Sequence, residues 1–199
     1  MLLQGDFESA RAKLAAAVSD AERIGNWLAA GGAWDMSYKA EITAGNAERA
    51  LELAQRGYGY LGRLEDVGHQ STFAGYLART LVALGRDDEA VPYVAECREL
   101  TASDDILNLW LWRSAEAQIV LHRGEFDEAE RLAREAVAAL SQTQIYDRGT
   151  ALLELGDVLA AVGKTTEARD AYLGALAIWE QKEFSPMIEQ TRTRLTETD

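Results

Sequence analysis

The residues of this sequence that could do chemistry include a Gly-Lys-Thr string near the C-terminal end. Gly163-Lys164-Thr165 has the order that closes a phosphate-binding loop, in which backbone N–H groups and a lysine hold a nucleotide. The preceding residues, VLAAV (158–162), are helical in character and lack the upstream glycine that such a loop needs. We therefore interpret the string as a turn between helices and predict no nucleotide site.

The other candidate groups do not form a catalytic or metal-binding pattern. His69 and His122 lie far apart in the sequence, and no His-x-x-x-His or Cys-x-x-Cys spacing occurs. Cys97 is the only cysteine, and a nucleophilic role would need a lowered pKa and an accessible pocket. The acids recur after several glycines, whereas a catalytic pair is expected once. The sequence predicts no catalytic, cofactor-binding or metal-binding residue, and a protein that is not an enzyme.

Composition and charge restrict the classes of partner. The 199 residues carry 20 basic and 33 acidic side chains, for a formal net charge of −13. This balance argues against nucleic acids and anionic membranes, because both are bound mainly through lysine and arginine. A lone cysteine cannot form an internal disulfide, and no apolar run resembles a signal peptide or a membrane span. We expect a cytoplasmic protein.

A repeat of 39 or 40 residues organises the chain. It is marked by five glycines: Gly5, Gly45, Gly85, Gly124 and Gly163. Each is followed after five residues by an alanine: Ala10, Ala50, Ala90, Ala129 and Ala168. Each is followed after twelve residues by another small residue: Ala17, Gly57, Cys97, Ala136 and Ala175. Small residues at fixed offsets allow two helices to approach closely. The pattern predicts helical hairpins that stack on their neighbours.

The hairpin turns resemble those of the tetratricopeptide repeat. The stretches GEFDEA (124–129) and GDFESA (5–10) are close to that family's Gly-acid-aromatic-acid-Glu-Ala turn. The resemblance implies an all-α, right-handed α-solenoid. It would form a single domain over 1–199, with about four and a half hairpins and a terminal helix over about 185–198. The period exceeds the usual value of about 34 residues, so we expect longer helices or inter-repeat loops. HEAT repeats share the longer period and are the alternative fold.

Two longer stretches resemble a particular bacterial class. Residues 104–140 and 149–183 are similar to the C-terminal repeat regions of multidomain cyclase/ATPase proteins and of transcriptional regulators. This resemblance implies a non-catalytic protein- or peptide-binding scaffold, the sensor or interaction segment of a larger bacterial signalling regulator. The alternative is a small-molecule-sensing regulatory domain of a cyclase or transcriptional activator.

The resemblance also places a binding groove. In tetratricopeptide arrays, the first helices of the hairpins line a concave surface that binds ligands. The corresponding polar residues here are Asp35, Lys39, Arg79, Ser114, Gln118, His122 and Asp157. Lys39 and Arg79 form a basic pair suited to a carboxylate-bearing peptide or to another domain of the same polypeptide. The alternative is that both are ordinary solvated side chains.

The first hairpin is incomplete, because only four residues precede Gly5. A repeat end without a neighbour leaves an apolar helix face uncovered. We therefore expect a homodimer formed through uncovered repeat ends.

Overall fold

A computed structural model describes residues 1–62, 67–141 and 145–198. These ranges contain a short 3-10 turn, Leu2–Gln4, and ten α-helices. The helices are α1 (Phe7–Arg23), α2 (Trp27–Thr43), α3 (Ala47–Gly62), α4 (Val67–Ala83), α5 (Asp87–Leu100), α6 (Ile106–His122), α7 (Phe126–Ala139), α8 (Ile145–Ala161), α9 (Thr165–Gln181) and α10 (Ser185–Glu197). No strand occurs in the ranges described. The chain divides into two compact units, Met1–Leu100 and Thr101–Asp199.

Glycines in a left-handed conformation form the hairpin turns. The five glycines that mark the repeat have φ between 70° and 81°, a region that side chains disfavour. Gly25 has the same conformation, with φ of 69°, in the turn between α1 and α2. The repeat pattern did not predict this turn. The Asn26 side chain after it caps α2 by accepting a hydrogen bond from the Ala29 N–H at 3.1 Å. The turn between α1 and α2 thus uses the same local chemistry as the turns within the hairpins.

Longer helices account for the long repeat period in some of the hairpins and a longer connection contributes in others. Helices α1 to α4 contain 16 or 17 residues each. A repeat of about 34 residues leaves only about 14 residues for each helix once its two turns are subtracted. The extra residues therefore lie within helices at the start of the chain, whereas α5 and α7 have only 14 residues each and residues 101–105 lengthen the connection between α5 and α6.

In the first unit, small residues lie where sequential helices meet. The five alanines that follow the turn glycines by five residues are all buried along the chain. In the second small column, Gly57 and Cys97 are buried, but Ala17 is exposed, contrary to expectation. Gly57 packs against the ring of Phe73 in α4. The position of α2 that corresponds to Phe73 is Ala33, which has no ring to cover Ala17.

The second unit repeats this packing with aromatic side chains. Tyr172 of α9 packs on Gly156 of α8, and Trp179 packs on Gly149 in the same pair of helices. A side chain at either glycine would overlap the ring that faces it. The last helix, α10, begins at Ser185 with Pro186 in its first turn, and it packs on α9. Its residues Met187 and Thr191 are buried.

Candidate functional site

The first unit holds three residues of the predicted groove, and two of them form an ion pair. Lys39 Nζ lies 3.4 Å from Asp35 Oδ2 one helical turn away on α2, and the Tyr76 hydroxyl donates a hydrogen bond to Asp35. Arg79 on α4 is half-buried. The expected basic pair is therefore partly neutralised, since the charge of Lys39 is balanced within its own helix. The spacing of Asp35 and Lys39 could have revealed this pairing.

A stacked pair of tyrosines fixes α2 against α4 beside these charges. The rings of Tyr38 and Tyr76 lie 4.1 Å apart and are nearly parallel, at 14°. Thr80 Oγ1 donates to the Tyr38 hydroxyl at 3.1 Å, and all three side chains are buried. Tyr38 is the one large residue in an otherwise small column, seven residues before the turn glycines. The stack supplies a rigid support for the polar residues next to it.

In the second unit, Ser114 is occupied by an internal hydrogen bond. Its hydroxyl donates to Glu154 Oε2 at 2.6 Å, and Trp110 Nε1 donates to the same oxygen at 3.2 Å. Ser114 is buried, Gln118 is half-buried and His122 is exposed near the end of α6. Of these three predicted residues, His122 is the most accessible.

Asp157, the last residue of the predicted groove, contacts α9 and α10. Its Oδ1 accepts hydrogen bonds from Arg194 Nε at 2.7 Å and from the Tyr172 hydroxyl at 2.9 Å. Burial raises the pKa of the Asp157 carboxyl, and the hydrogen bond from Arg194 opposes that rise. Asp157 therefore links the last repeat to the terminal helix.

The lysine and the cysteine considered above for chemical roles instead make contacts within the protein. Lys164 Nζ lies 2.6 Å from Glu130 Oε1, across the exposed ends of two helices. Cys97 is buried and lies 3.8 Å from the Ser71 hydroxyl oxygen. Within the described ranges, no group of three or more His, Cys, Asp or Glu side chains is placed to hold a metal ion. Nor does any described helix have the length and apolar character needed to cross a membrane.

One side of α2 carries exposed apolar residues next to an ion pair; we call it the α2 face. It comprises Leu28, Gly32, Asp35, Met36 and Lys39, whose spacing places them on one side of the helix. Leu28 is 59% exposed and Met36 is 41% exposed. Tyr76, which has the position of Met36 in the next hairpin, is 0% exposed because Tyr38 and Asp35 of α2 cover it. Met36 thus stands at a position of the α2 face that the preceding hairpin would cover within a stack.

A cavity of about 530 Å³ lies between α1 and α3, and residues of α2 also line it. We call it the α1–α3 cavity. At its edge, Arg11 donates two hydrogen bonds to the buried Glu41, at 2.7 and 2.8 Å. The Arg11 guanidinium lowers the pKa of Glu41. The Arg56 guanidinium lies 4.8 Å from the centre of the Trp34 ring. The sequence pattern did not predict this cavity, because its wall combines residues from three helices.

Comparison with known proteins identifies the fold. Neither a protein-family model nor a curated protein sequence matches the chain. The crystal structure of BtubC (BKLC) from P. vanneervenii superposes with a TM-score of 0.62 and 18% sequence identity, covering 97% of this chain and 83% of that one. A kinesin light chain structure from Podosopora anserina, with nearly identical TPR-like repeats, superposes with a TM-score of 0.51 and 20% identity, covering 81% of each chain. The chain has a tetratricopeptide-like repeat fold.

This result confirms the predicted all-α repeat architecture. The ten described helices pack in successive pairs, as the turn glycines indicated. At these levels of identity the likeness concerns the fold alone. The more specific resemblance to cyclase/ATPase regulators stays a prediction.

Proposed function

We propose that this chain is a non-catalytic scaffold that binds a protein or peptide. In this proposal it serves as the sensor or interaction segment of a larger bacterial signalling regulator. The tetratricopeptide-like fold supports the proposal, because stacked hairpins hold side chains from successive helices in fixed relative positions. The observation that carries it is the exposure of the α2 face. Large apolar side chains grouped on one exposed helix side are typical of protein interaction surfaces.

The α2 face has the chemistry of a helix-docking surface. Leu28 and Met36 offer apolar contact, and Gly32 lies between them with no atom near its would-be side chain, so that a partner backbone can approach closely. The Asp35–Lys39 ion pair adds a polar edge. An amphipathic helix with apolar residues three and four positions apart fits this arrangement.

We propose the other residues of the predicted groove as polar contact sites, within each unit separately. Arg79 belongs to the first unit, and Gln118 and His122 are the more accessible members in the second. Protein interfaces commonly surround an apolar centre with polar residues of this kind. A second copy of the chain is one partner that could cover the α2 face, because a two-fold dimer uses the same surface on both copies.

We predict that Leu28→Glu/Met36→Glu abolishes partner binding. Two carboxylates on the α2 face would have to be desolvated in any apolar interface. Sedimentation velocity from micromolar to millimolar protein measures self-association. A photo-crosslinking residue at Met36 then captures any other partner in cells, with the same residue at Leu173 as a control site. Leu173 is 45% exposed on α9 and lies outside the α2 face.

The matched control for the double variant is Leu173→Glu, which also adds a charge at an exposed leucine. Wild type and the control should behave alike, and circular dichroism should show all three proteins to be folded. A dimer that is lost only in the double variant identifies a second copy as the partner. A strict monomer that forms no crosslink at Met36 would exclude the proposed use of this face.

The α1–α3 cavity supports a second candidate function, a small-molecule-sensing regulatory domain of a cyclase or transcriptional activator. Its volume is in the range of small-molecule sites, about 300–1,000 Å³. Ligand-dependent thermal stabilisation in the absence of any protein partner would favour this alternative.

A further inference from the structure

The α1–α3 cavity differs from the corresponding space one repeat later, between α3 and α5. Thirteen residues after the turn glycine, α1 carries Val18, whereas α3 carries Tyr58. The Tyr58 ring extends toward α5, where it lies 5.9 Å from the ring of Tyr93 in an edge-to-face arrangement. Leu53 of α3 corresponds to Tyr93 of α5 in the repeat, and it lines the cavity. Aromatic rings of the protein thus occupy the space between α3 and α5, whereas smaller aliphatic side chains line the α1–α3 cavity.

The charge at this position also changes between the two repeats. The Tyr58 hydroxyl donates to the Glu96 carboxylate of α5, at 2.8 Å from both oxygens. Eleven residues after the turn glycine, α3 carries Arg56 where α5 carries Glu96. Between α3 and α5, the Glu96 carboxylate accepts a hydrogen bond from the Tyr58 phenol. In the α1–α3 cavity, the Arg56 guanidinium stands at the position that corresponds to Glu96. A ligand of the α1–α3 cavity should therefore present an acceptor to Arg56, with an apolar body in the place of the ring.

Among the charged groups that line the cavity, Arg56 is the available cation. Arg11 is bound to Glu41 through two hydrogen bonds, and Arg49 is paired with Glu52. Arg56 makes no ion pair with any residue that the structure describes. Its guanidinium lies over the Trp34 ring in a cation–π contact, which does not use the N–H groups as hydrogen-bond donors.

The balance of charge favours a ligand with a single negative charge. Three arginines and two glutamates line the cavity: Arg11, Arg49, Arg56, Glu22 and Glu41. Arg11 and Arg49 are already paired with carboxylates, so only Arg56 is left to balance a ligand charge, and a second negative charge would face Glu22 without a partner. A carboxylate matches the two parallel N–H donors of an arginine.

We infer that the α1–α3 cavity binds a small monocarboxylic acid with an apolar body of one or two rings. The carboxylate pairs with Arg56, and the body packs against Trp34, Leu14, Val18 and Leu53. The site shares no lining residue with the α2 face, so it does not depend on the proposed scaffold function. The inference concerns binding alone and includes no chemical step.

Titration of the whole chain with naphthalene-1-acetate, indole-3-butyrate and phenylacetate tests this site. Two-dimensional NMR of the tryptophan indole and arginine Nε–H signals reports occupancy beside Trp34 and Arg56. We expect saturable binding of the acids, with the two-ring acids binding more tightly than phenylacetate. Naphthalene-1-acetamide has the same rings without the charge and should bind at least about tenfold more weakly, since a charge-assisted hydrogen bond is lost.

Two variants locate the site. Arg56→Gln should weaken acid binding at least about tenfold. Val18→Tyr should abolish it, because the new ring would occupy the cavity as Tyr58 occupies the next space. Arg23→Gln is the matched control, since Arg23 is an exposed arginine on α1 that does not line the cavity. Thermal unfolding followed by circular dichroism verifies that each variant folds.

Three results would overturn the inference. The first is the absence of saturable binding for all three acids at millimolar concentration. The second is equal affinity for naphthalene-1-acetate and its amide, which would show that the carboxylate is not recognised. The third is unchanged binding by a folded Val18→Tyr variant, which would place the ligand outside the cavity.

Discussion

At the scale of single residues, Glu41 shows how one buried acid connects two helices. Its side chain is only 4% exposed on α2, and it accepts hydrogen bonds from Arg11 of α1 and from the Asn46 amide. Removing a carboxylate from water is costly unless such donors compensate it. The hydrogen bonds from Arg11 lower the pKa of Glu41 below its ordinary value of 4.5. The ionised form is therefore favoured in the folded protein.

We predict that Glu41→Gln destabilises the protein at pH 7 by about 1–3 kcal/mol, because the charge-assisted hydrogen bonds from Arg11 are lost. Chemical denaturation at several pH values measures the effect. A lowered folded-state pKa contributes stability above about pH 4.5, and this contribution is lost as the pH falls through the folded-state pKa. The difference between wild type and variant should therefore narrow in acid.

Glu52→Gln serves as the control for this comparison. Glu52 pairs with Arg49 three residues away on an exposed part of α3, and exposed pairs contribute only about 0–1 kcal/mol. A Glu41→Gln effect no larger than that of Glu52→Gln would contradict the prediction.

At the scale of the helix, α3 contains two glycines with opposite surroundings. Gly57 is buried, and a Cβ added there would overlap the Phe73 ring of α4. Gly59 is exposed and has no atom within 4 Å of its would-be Cβ. The first glycine permits close helix packing, whereas the second only weakens the helix.

We predict effects of opposite sign for alanine at these two positions. Gly59→Ala should stabilise the protein by about 0.5–1 kcal/mol through helix propensity. Gly57→Ala gains the same propensity but must displace a buried ring, so that a net destabilisation of about 1–2 kcal/mol is expected from overpacking. Urea unfolding midpoints of the two variants and of wild type provide the comparison. Stabilisation by Gly57→Ala would mean that α3 and α4 can separate at little cost.

At the scale of the whole molecule, net charge opposes the compact state. A formal charge of −13 on 199 residues produces self-repulsion that folding increases. Exposed ion pairs such as Arg86–Glu89 and Arg192–Glu180 act in the opposite direction, but each contributes little. Salt screens both the self-repulsion and the exposed ion pairs, and the repulsion should be the larger effect.

We therefore predict that the melting temperature rises by several degrees between low and physiological ionic strength. A change of about 1 kcal/mol corresponds to about 2–4 °C for a chain of this size. Scanning calorimetry in sodium chloride and in potassium chloride should give the same rise, as expected for screening. A fall in melting temperature would show that the surface ion pairs outweigh the repulsion.

The sequence by itself determined the helical hairpins and their repeat. Left-handed glycines such as Gly45 and Gly124 mark turns because few other residues adopt that backbone conformation. Alanines at a fixed offset, such as Ala50 and Ala129, identify the buried side of the helix that follows. These are local properties repeated along the chain, so that spacing alone reveals them. The pairing of Asp35 with Lys39 was also within reach of sequence reasoning.

The tertiary structure alone decided which side chains are covered and which groups meet. Met36 and Tyr76 occupy equivalent positions, yet one is exposed and the other is covered by α2. Likewise, the α1–α3 cavity exists because Val18 is too small to replace the ring that Tyr58 supplies one repeat later. Burial, cavities and ion pairs such as Arg11–Glu41 depend on the packing of helices that are distant in sequence. Local sequence pattern carries no direct information on those distances, which are set by the side chains that fill the space between helices.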